Sequence, residues 1–124
     1  IAACKAGASA VTAADVDPFS RIACVLNAAA NGVDFTFTGD DLIGTDEGWD
    51  VVLAGDVFYD RELASRMVPW FSALRRRGAE VLVGDPGRSY LPKDRLDGLA
   101  VYEVPVSRAL EDSEVKRTTV WRFV

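Results

Sequence analysis

The sequence predicts an α/β fold: a mostly parallel sheet with helices on both faces, closed by an antiparallel hairpin. Short apolar segments alternate with longer segments whose apolar residues recur every three or four positions. The segment 99–124 contains instead two strand-like stretches joined by a charged connection. With 124 residues, 49% of them hydrophobic, the chain is long enough to form one domain with a core.

The first strand is predicted at 10–15, followed by a helix with clear end signals. Asp17 is a suitable N-cap, Pro18 takes the first helical position, and Gly32 ends the helix. A short alternating strand follows at 33–39. The apolar residues of the helix fall on one face at three- and four-residue spacing: Ile22, Val25, Leu26 and Ala29.

The next strand, 49–56, is apolar enough to be covered on both faces. Beyond it, a helix is predicted from Asp60 to Gly78, with a kink at Pro69 because proline lacks the N–H that the helix needs. Its apolar set is Leu63, Met67, Phe71 and Leu74.

A further buried strand and turn are predicted at 79–87, and the segment 89–98 holds at most one short helix. The two strands 99–106 and 118–124 should form the closing hairpin. We therefore expect one domain over 1–124.

Composition and charge disfavour several classes of function. The net charge of −5 argues against nucleic acid as a partner, and the apolar runs are too short to span a membrane. The chain has no histidine, and Cys4 and Cys24 lack metal-ligand spacing, so no metal site is expected. We interpret both cysteines as small, reduced core residues of a cytoplasmic protein.

The chain begins at Ile1 rather than Met, and 1–9 has the pattern of the last turns of a helix ended by Gly7. We therefore expect a longer protein with sequence upstream of Ile1.

In parallel sheets, ligands bind beyond the carboxyl ends of the strands, so the residues there are the candidate site. Asp15 ends the first strand and is placed to accept hydrogen bonds from ribose hydroxyls. The alternative is a local turn or cap, but Asp17 already fills the capping role. After the second strand, an acid at 40–41 could accept from an adenine amino group, and here turn chemistry is an equal alternative.

The most distinctive strand end is "GDVFY", where Asp56 is followed by Phe58 and Tyr59. A carboxylate beside aromatic rings can hold and orient an amine. The alternative is a turn at Asp56 with both aromatics packed in the core or a lid. The "GDPGRSY" segment at 84–90 could form a mobile loop beside the same pocket, or simply a turn.

These segments together resemble the class I S-adenosylmethionine-dependent methyltransferases, which have a Rossmann-like fold. Within that class they resemble the seven-β-strand protein-lysine methyltransferases, whose signature is an acid, two residues, then Tyr or Phe; Asp56 and Tyr59 match it. The likeness is most specific from "GDVFYD" to "GDPGRSYLP" and is strongest to the electron-transfer flavoprotein β-subunit lysine methyltransferases and their bacterial homologues.

The resemblance implies S-adenosyl-L-methionine as cofactor and a lysine-bearing protein as substrate, such as the electron-transfer flavoprotein β subunit or a ribosomal protein. It assigns Asp56 and Tyr59 as catalytic. The implied cofactor-binding residues are Asp15, Val16, Asp41 and Leu42, with Asp40 as a register-shifted rival to Asp41. The substrate-binding residues are expected to be Asp56 and Tyr59, which the resemblance implies, together with Phe58 and Trp70, because partial desolvation among Phe58, Tyr59 and Trp70 would disfavour the ammonium form of the amine. The family's first strand and glycine-rich loop are expected upstream of Ile1.

Methyl transfer from a sulfonium needs a neutral, well-placed amine rather than a histidine or a metal, which agrees with the composition. Two alternatives remain open. One is a methyltransferase of the same fold that acts on a small amine, and the other is a non-catalytic nucleotide-binding α/β domain.

Overall fold

A computed structural model describes residues 1–106 and 115–124, and the predicted charged connection of the hairpin lies largely outside them. The chain divides into two compact units, Ile1–Leu42 and Ile43–Val124. Among the described residues, no helix is both long and apolar enough to cross a lipid bilayer.

The first unit contains two helices and two short strands. They follow the order α1 (Ala2–Lys5), β1 (Thr12–Ala14), α2 (Pro18–Asn31) and β2 (Thr36–Thr38). The strands β1 and β2 pair in parallel, with Ala13 opposite Phe37. The predicted βαβ arrangement is therefore confirmed.

The ends of α2 agree with the local signals in the sequence. The Asp17 side chain accepts a hydrogen bond from the Phe19 N–H at 2.9 Å, Pro18 opens the helix, and Gly32 closes it with φ 61°. The apolar face of α2 is not covered within this unit, since Ile22 and Leu26 are at least 60% exposed. Two strands of three residues are too small to cover a helix of 14 residues.

The second unit is a four-stranded mixed sheet with one long helix. Its elements are β3 (Val51–Gly55), α3 (Arg61–Arg77), β4 (Glu80–Asp85), a 3₁₀ turn (Lys93–Arg95), β5 (Leu96–Pro105) and β6 (Val115–Phe123). The strand order is β3-β4-β6-β5, with β3 and β4 parallel and the other pairs antiparallel. The helices, the parallel strands and the closing hairpin confirm the predicted α/β class, although the sheet of this unit is mixed rather than mostly parallel.

Helix α3 supplies one side of the core of this unit. Its N-cap is Asp60, whose side chain accepts from the Leu63 N–H at 2.8 Å, and Gly78 ends it. The ring of Phe71 is fully buried and meets the rings of Phe58 and Phe123 edge-on, at centroid distances of 6.4 and 5.5 Å. The other buried core residues come from α3, from β4 and from the segments beside them: Ala64, Met67, Leu74, Ala79, Val81, Val83, Leu91 and Leu96.

The prediction that β3 is covered on both faces is wrong. Val51 and Leu53 are 51% and 60% exposed, whereas Val52 and Ala54 pack against the core. Side chains alternate between the faces of a strand, and within the described part of this unit α3 covers only one face.

Replacing Phe71 by Ala should destabilise the protein by about 3–5 kcal/mol, because it removes a fully buried ring and leaves a cavity between Phe58 and Phe123. Urea unfolding of the intact protein followed by tryptophan fluorescence measures the change. The matched control is Phe19→Ala, since Phe19 is 77% exposed and its loss should cost under about 0.5 kcal/mol. Equal effects of the two substitutions would contradict the core described here.

Candidate functional site

The carboxyl ends of β3 and β4 lie side by side because the two strands are parallel and in register, with Gly55 opposite Gly84. The pairing continues one residue beyond β3, where the Asp56 N–H donates to the Gly84 carbonyl at 2.8 Å. Asp56 has φ 53°, which is a left-handed conformation rarely adopted by residues other than glycine. Uncommon backbone conformations of this kind concentrate at functional sites.

The Asp56 carboxylate is held by Arg88, from the loop after β4. Arg88 Nε and Nη2 donate to the two oxygens of Asp56 at 2.6 and 2.7 Å, in a bidentate ion pair. The hydrogen bonds from Arg88 hold the pKa of Asp56 below its usual value against the opposing effect of desolvation, with smaller help from the charges of Arg88 and Lys116. Asp56 is therefore a carboxylate at neutral pH.

The loop that carries Arg88 is organised by Asp85, the last residue of β4, whose side chain is buried with 1% exposure. Asp85 Oδ1 accepts from the N–H groups of Gly87 and Arg88 at 2.6 and 2.7 Å. Its Oδ2 is buried and has no hydrogen-bond partner among the described residues. Thus the segment predicted as either a mobile loop or a turn has the hydrogen bonds of a turn around a buried acid.

The two aromatics after Asp56 have different environments. Phe58 is fully buried against Phe71, so its ring belongs to the core and is not exposed to a substrate. Its carbonyl accepts from the Tyr90 N–H at 3.2 Å, which links the loops after β3 and β4. Tyr59 is 62% exposed. Tyr59 is therefore the aromatic of this pair that a ligand can reach.

Trp70 does not lie beside Asp56. Its indole N–H donates to the Thr45 carbonyl at 2.6 Å, and its ring packs edge-on against Trp49 with a centroid distance of 6.4 Å. Trp49 precedes β3 whereas Asp56 follows it, so Trp70 packs at the opposite end of the strand. The expectation that Trp70 helps to desolvate the amine fixed no position for its ring, because the sequence of a helix does not reveal which end of the sheet a residue meets.

In the first unit, Asp15 follows β1 and its N–H donates to the Thr38 carbonyl at 3.3 Å. Its carboxylate oxygens accept from the Asp17 N–H at 2.9 Å and the Ser20 hydroxyl at 2.8 Å. These hydrogen bonds, the Asp17 one first, lower the pKa of Asp15. The local turn that was the alternative role of Asp15 is thus present. Each oxygen of the Asp15 carboxylate keeps a second lone pair that could accept from a further donor.

The residues after β2 form a tight turn. The Asp40 carboxylate accepts from the Thr38 hydroxyl at 2.8 Å, and the Asp40 N–H donates back to that hydroxyl oxygen at 3.1 Å. These hydrogen bonds are those of the local turn that was the alternative for this segment, and Asp40 forms them. The two residues expected to contact the adenine differ in exposure, since Asp41 is exposed and Leu42 is half-buried. Val16, the other expected cofactor-binding residue after β1, is 68% exposed.

Arg88 and Asp85 were not identified as site residues from the sequence. Asp56 lies 32 residues before Arg88, and the sequence places no basic residue near Asp56 before Arg61. The available signal was the parallel order of the strands, because loops after neighbouring parallel strands meet at one edge. In the described part of the chain, no cluster of acidic and cysteine side chains could hold a metal ion.

The Asp56–Arg88 pair should make stability depend on pH below about pH 4. The pKa of Asp56 is lowered in the folded state, so the pair stabilises the protein above the unfolded-state pKa, and that contribution is lost as the pH falls through the folded-state value. We expect a contribution of no more than about 1 kcal/mol, because both side chains are more than a third exposed (38% and 45%).

Urea unfolding of the parent and of Arg88→Gln between pH 6 and pH 2 measures this contribution. The difference between their free energies of unfolding should shrink as the pH falls. A difference that stays constant over this range would show that Asp56 is not stabilised by Arg88.

No protein-family model matches the chain. It is similar to curated electron transfer flavoprotein beta subunit lysine methyltransferases, with 36% identity to that of Danio rerio, 38% to that of Xenopus laevis and 34% to that of Homo sapiens. Each similarity covers 99% of this chain and 50%, 53% and 50% of the relative, respectively. The chain thus spans about half the length of the curated relatives it matches.

Solved structures of methyltransferases share the fold at low sequence identity. A ribosomal protein L11 methylase from Lactobacillus delbrueckii subsp. bulgaricus superposes with a TM-score of 0.61 at 19% identity, over 99% of this chain and 63% of its own. The N-methyltransferase NodS from Bradyrhizobium japonicum WM9, solved with S-adenosyl-L-homocysteine, gives a TM-score of 0.56 at 11% identity, over 92% of this chain and 66% of its own.

The relatives by sequence and the neighbours by structure agree with the resemblance carried by the "DVFY" signature. Over nearly its whole length, the chain is homologous to about half of an electron transfer flavoprotein β-subunit lysine methyltransferase and has a Rossmann-like methyltransferase fold.

Proposed function

We propose that this chain is part of an S-adenosylmethionine-dependent protein-lysine N-methyltransferase, and that its two units belong to one methyltransferase domain. The observation that carries the proposal is the carboxylate of Asp56 at the end of β3, with the exposed ring of Tyr59 three residues later. The homology to protein-lysine methyltransferases along 99% of the chain supports the same conclusion.

The residues of the first unit fit the nucleoside part of the cofactor. Asp15 is an exposed carboxylate at the carboxyl end of β1, and its lowered pKa keeps it ionised at neutral pH. It would accept hydrogen bonds from the ribose hydroxyls, beside Val16, through the lone pairs that Asp17 and Ser20 leave unused. Asp41 and Leu42 would contact the adenine.

When bound, S-adenosylmethionine supplies an electrophilic methyl group on a sulfonium. The chain's own residues must deliver an amine whose lone pair is unprotonated, although the ordinary pKa of lysine is about 10.4. Asp56 would accept a hydrogen bond from one N–H of the amine and so orient the lone pair of the amine nitrogen. Tyr59 would pack against the aliphatic part of the lysine side chain and exclude water. After methyl transfer, the methylated amine would release its extra proton to solvent.

The proposed substrate-contacting residues are therefore Asp56 and Tyr59. Phe58 would act indirectly, because its buried ring anchors the loop on which both residues stand. Trp70 is not retained, since it packs against Trp49 at the other end of β3.

The proposed substrate is a protein lysine, and the names of the curated relatives favour an electron transfer flavoprotein β subunit over a ribosomal protein. The net charge of −5 favours a protein with a basic surface over a nucleic acid. The proposed location is the cytoplasm, because Cys4 and Cys24 are free thiols, as in reducing compartments.

Replacing Asp56 by Asn in the intact protein should lower kcat about a hundredfold, because the amide has only one acceptor oxygen and cannot keep the two-bond pairing with Arg88 that orients the acceptor for the amine. The affinity for S-adenosylmethionine, measured by calorimetric titration, should stay within about twofold, since Asp56 is assigned to the substrate. Asp50→Asn is the matched control, because Asp50 is an exposed acid at the opposite end of β3 and its loss should leave both quantities unchanged. Equal losses of turnover and cofactor affinity in Asp56→Asn would move Asp56 to the cofactor site.

Purified electron transfer flavoprotein, a lysine-bearing ribosomal protein and free small amines should be compared as methyl acceptors. We expect the first to be methylated on lysine, with the modified residue located by mass spectrometry. Faster methylation of free amines would favour the small-amine alternative. An intact protein that does not bind S-adenosylmethionine in the titration would refute the proposed function.

A further inference from the structure

The proposed amine-orienting carboxylate does not stand alone, because Arg88 holds both of its oxygens. We propose that Arg88 is a positioning residue: it fixes the orientation of the Asp56 carboxylate and offsets its charge, so that the site favours the neutral form of the substrate amine. This inference rests on the proposed function, and it assigns a role to a residue outside the "DVFY" signature.

The position of Arg88 is fixed from its backbone. Asp85, with 1% exposure, accepts from the N–H groups of Gly87 and Arg88, and Gly87 has φ 99°, a conformation that favours glycine. The Tyr90 N–H then donates to the Phe58 carbonyl at 3.2 Å. The loop is thus bound on one side to the end of β4 and on the other to the segment that follows Asp56.

The side chain of Arg88 is suited to orienting a carboxylate. A guanidinium donates along two parallel N–H directions and fixes the plane of the carboxylate, whereas an ammonium group is a point charge without a preferred plane. The two bonds use one lone pair on each oxygen of Asp56, and a second lone pair on each remains available. Because the Asp56 side chain is 45% exposed, an incoming amine can reach it.

The charge of Arg88 matters because the amine must be neutral to attack. An isolated carboxylate within hydrogen-bond distance stabilises the ammonium form and raises the pKa of the amine, which opposes methylation. Arg88 remains protonated at every pH at which an amine is methylated, so the Asp56–Arg88 pair has no net charge. It can still accept a hydrogen bond, but it attracts a cation less than Asp56 alone would.

Among the described residues, two further charged groups lie on the strands next to Asp56 and its loop: Lys116 and Asp85. Lys116 on β6 adds a weaker positive contribution at Asp56. The Asp85 carboxyl, on the neighbouring strand end, is turned into the protein and bound to backbone N–H groups. Arg88 is therefore the main group that balances the charge of Asp56.

The test is the pH dependence of kcat in the intact protein, measured from pH 6 to pH 10 with a protein lysine acceptor. In Arg88→Gln, the rise of kcat with pH should move upward by about one pH unit, because the uncompensated Asp56 stabilises the ammonium form. Activity at neutral pH should fall about tenfold or more and recover partly at high pH. The affinity for S-adenosylmethionine should not change.

Two further variants separate charge from geometry. Arg88→Lys keeps the charge but not the two-bond geometry. The pH at which its kcat rises should therefore stay near that of the parent, while kcat itself falls at all pH values. Arg76→Gln removes the same charge from an exposed position at the end of α3. It should match the parent both in kcat and in the pH at which kcat rises.

An Arg88→Gln variant whose profile coincides with that of the parent, with only a lower thermal unfolding temperature, would reduce Arg88 to a structural role and overturn this inference. In that case the proposed function would stand, because the parent would still methylate the acceptor. A parent protein that neither binds S-adenosylmethionine nor methylates any amine would overturn the proposed function, and this inference with it.

Discussion

The parallel pairing of β3 and β4 is the constraint on which the candidate site depends. Because Gly55 lies opposite Gly84, the two strands end at the same level, and the residues that follow them share one edge. The backbone bond from Asp56 to Gly84 extends this pairing by one residue and supports the left-handed conformation of Asp56. A register shift of one residue would turn the side chains of one strand to the other face and separate Asp56 from Arg88.

The core of the second unit keeps this edge in place. Phe58 is one of its fully buried side chains, so the loop that carries Asp56 and Tyr59 is anchored from within by a ring that packs against Phe71 on α3. Asp85 anchors the adjacent loop by hydrogen bonds rather than by apolar contact. An apolar anchor thus fixes the loop that carries Tyr59 and the Asp56 carboxylate, and a polar anchor fixes the neighbouring loop that carries Arg88. This arrangement suits the proposed reaction, which depends on how the amine is oriented.

Much of the fold could be predicted from the sequence, because its signals are local. Asp17, Pro18 and Gly32 mark the ends of α2, and Asp60 and Gly78 mark those of α3. Caps and turns act over a few residues, so they can be identified without knowing what the element packs against. Burial was predicted less well, since Leu26 on α2 and Leu53 on β3 are apolar but exposed, and only the packing of whole elements decides which apolar faces are covered.

For the site, the sequence by itself determined the chemistry of the strand ends: an acid after β1, acids after β2, and the Asp56–Tyr59 signature after β3. Only the tertiary structure decided which of these groups lie close together. In the tertiary structure Phe58 is buried, Trp70 lies at the opposite end of β3 from Asp56, and Asp56 pairs with Arg88, which is 32 residues away in the sequence. The physical reason is that turn and cap signals depend only on a few neighbouring residues. An ion pair between distant residues depends instead on which strands become neighbours and in which register, and both are properties of the whole sheet.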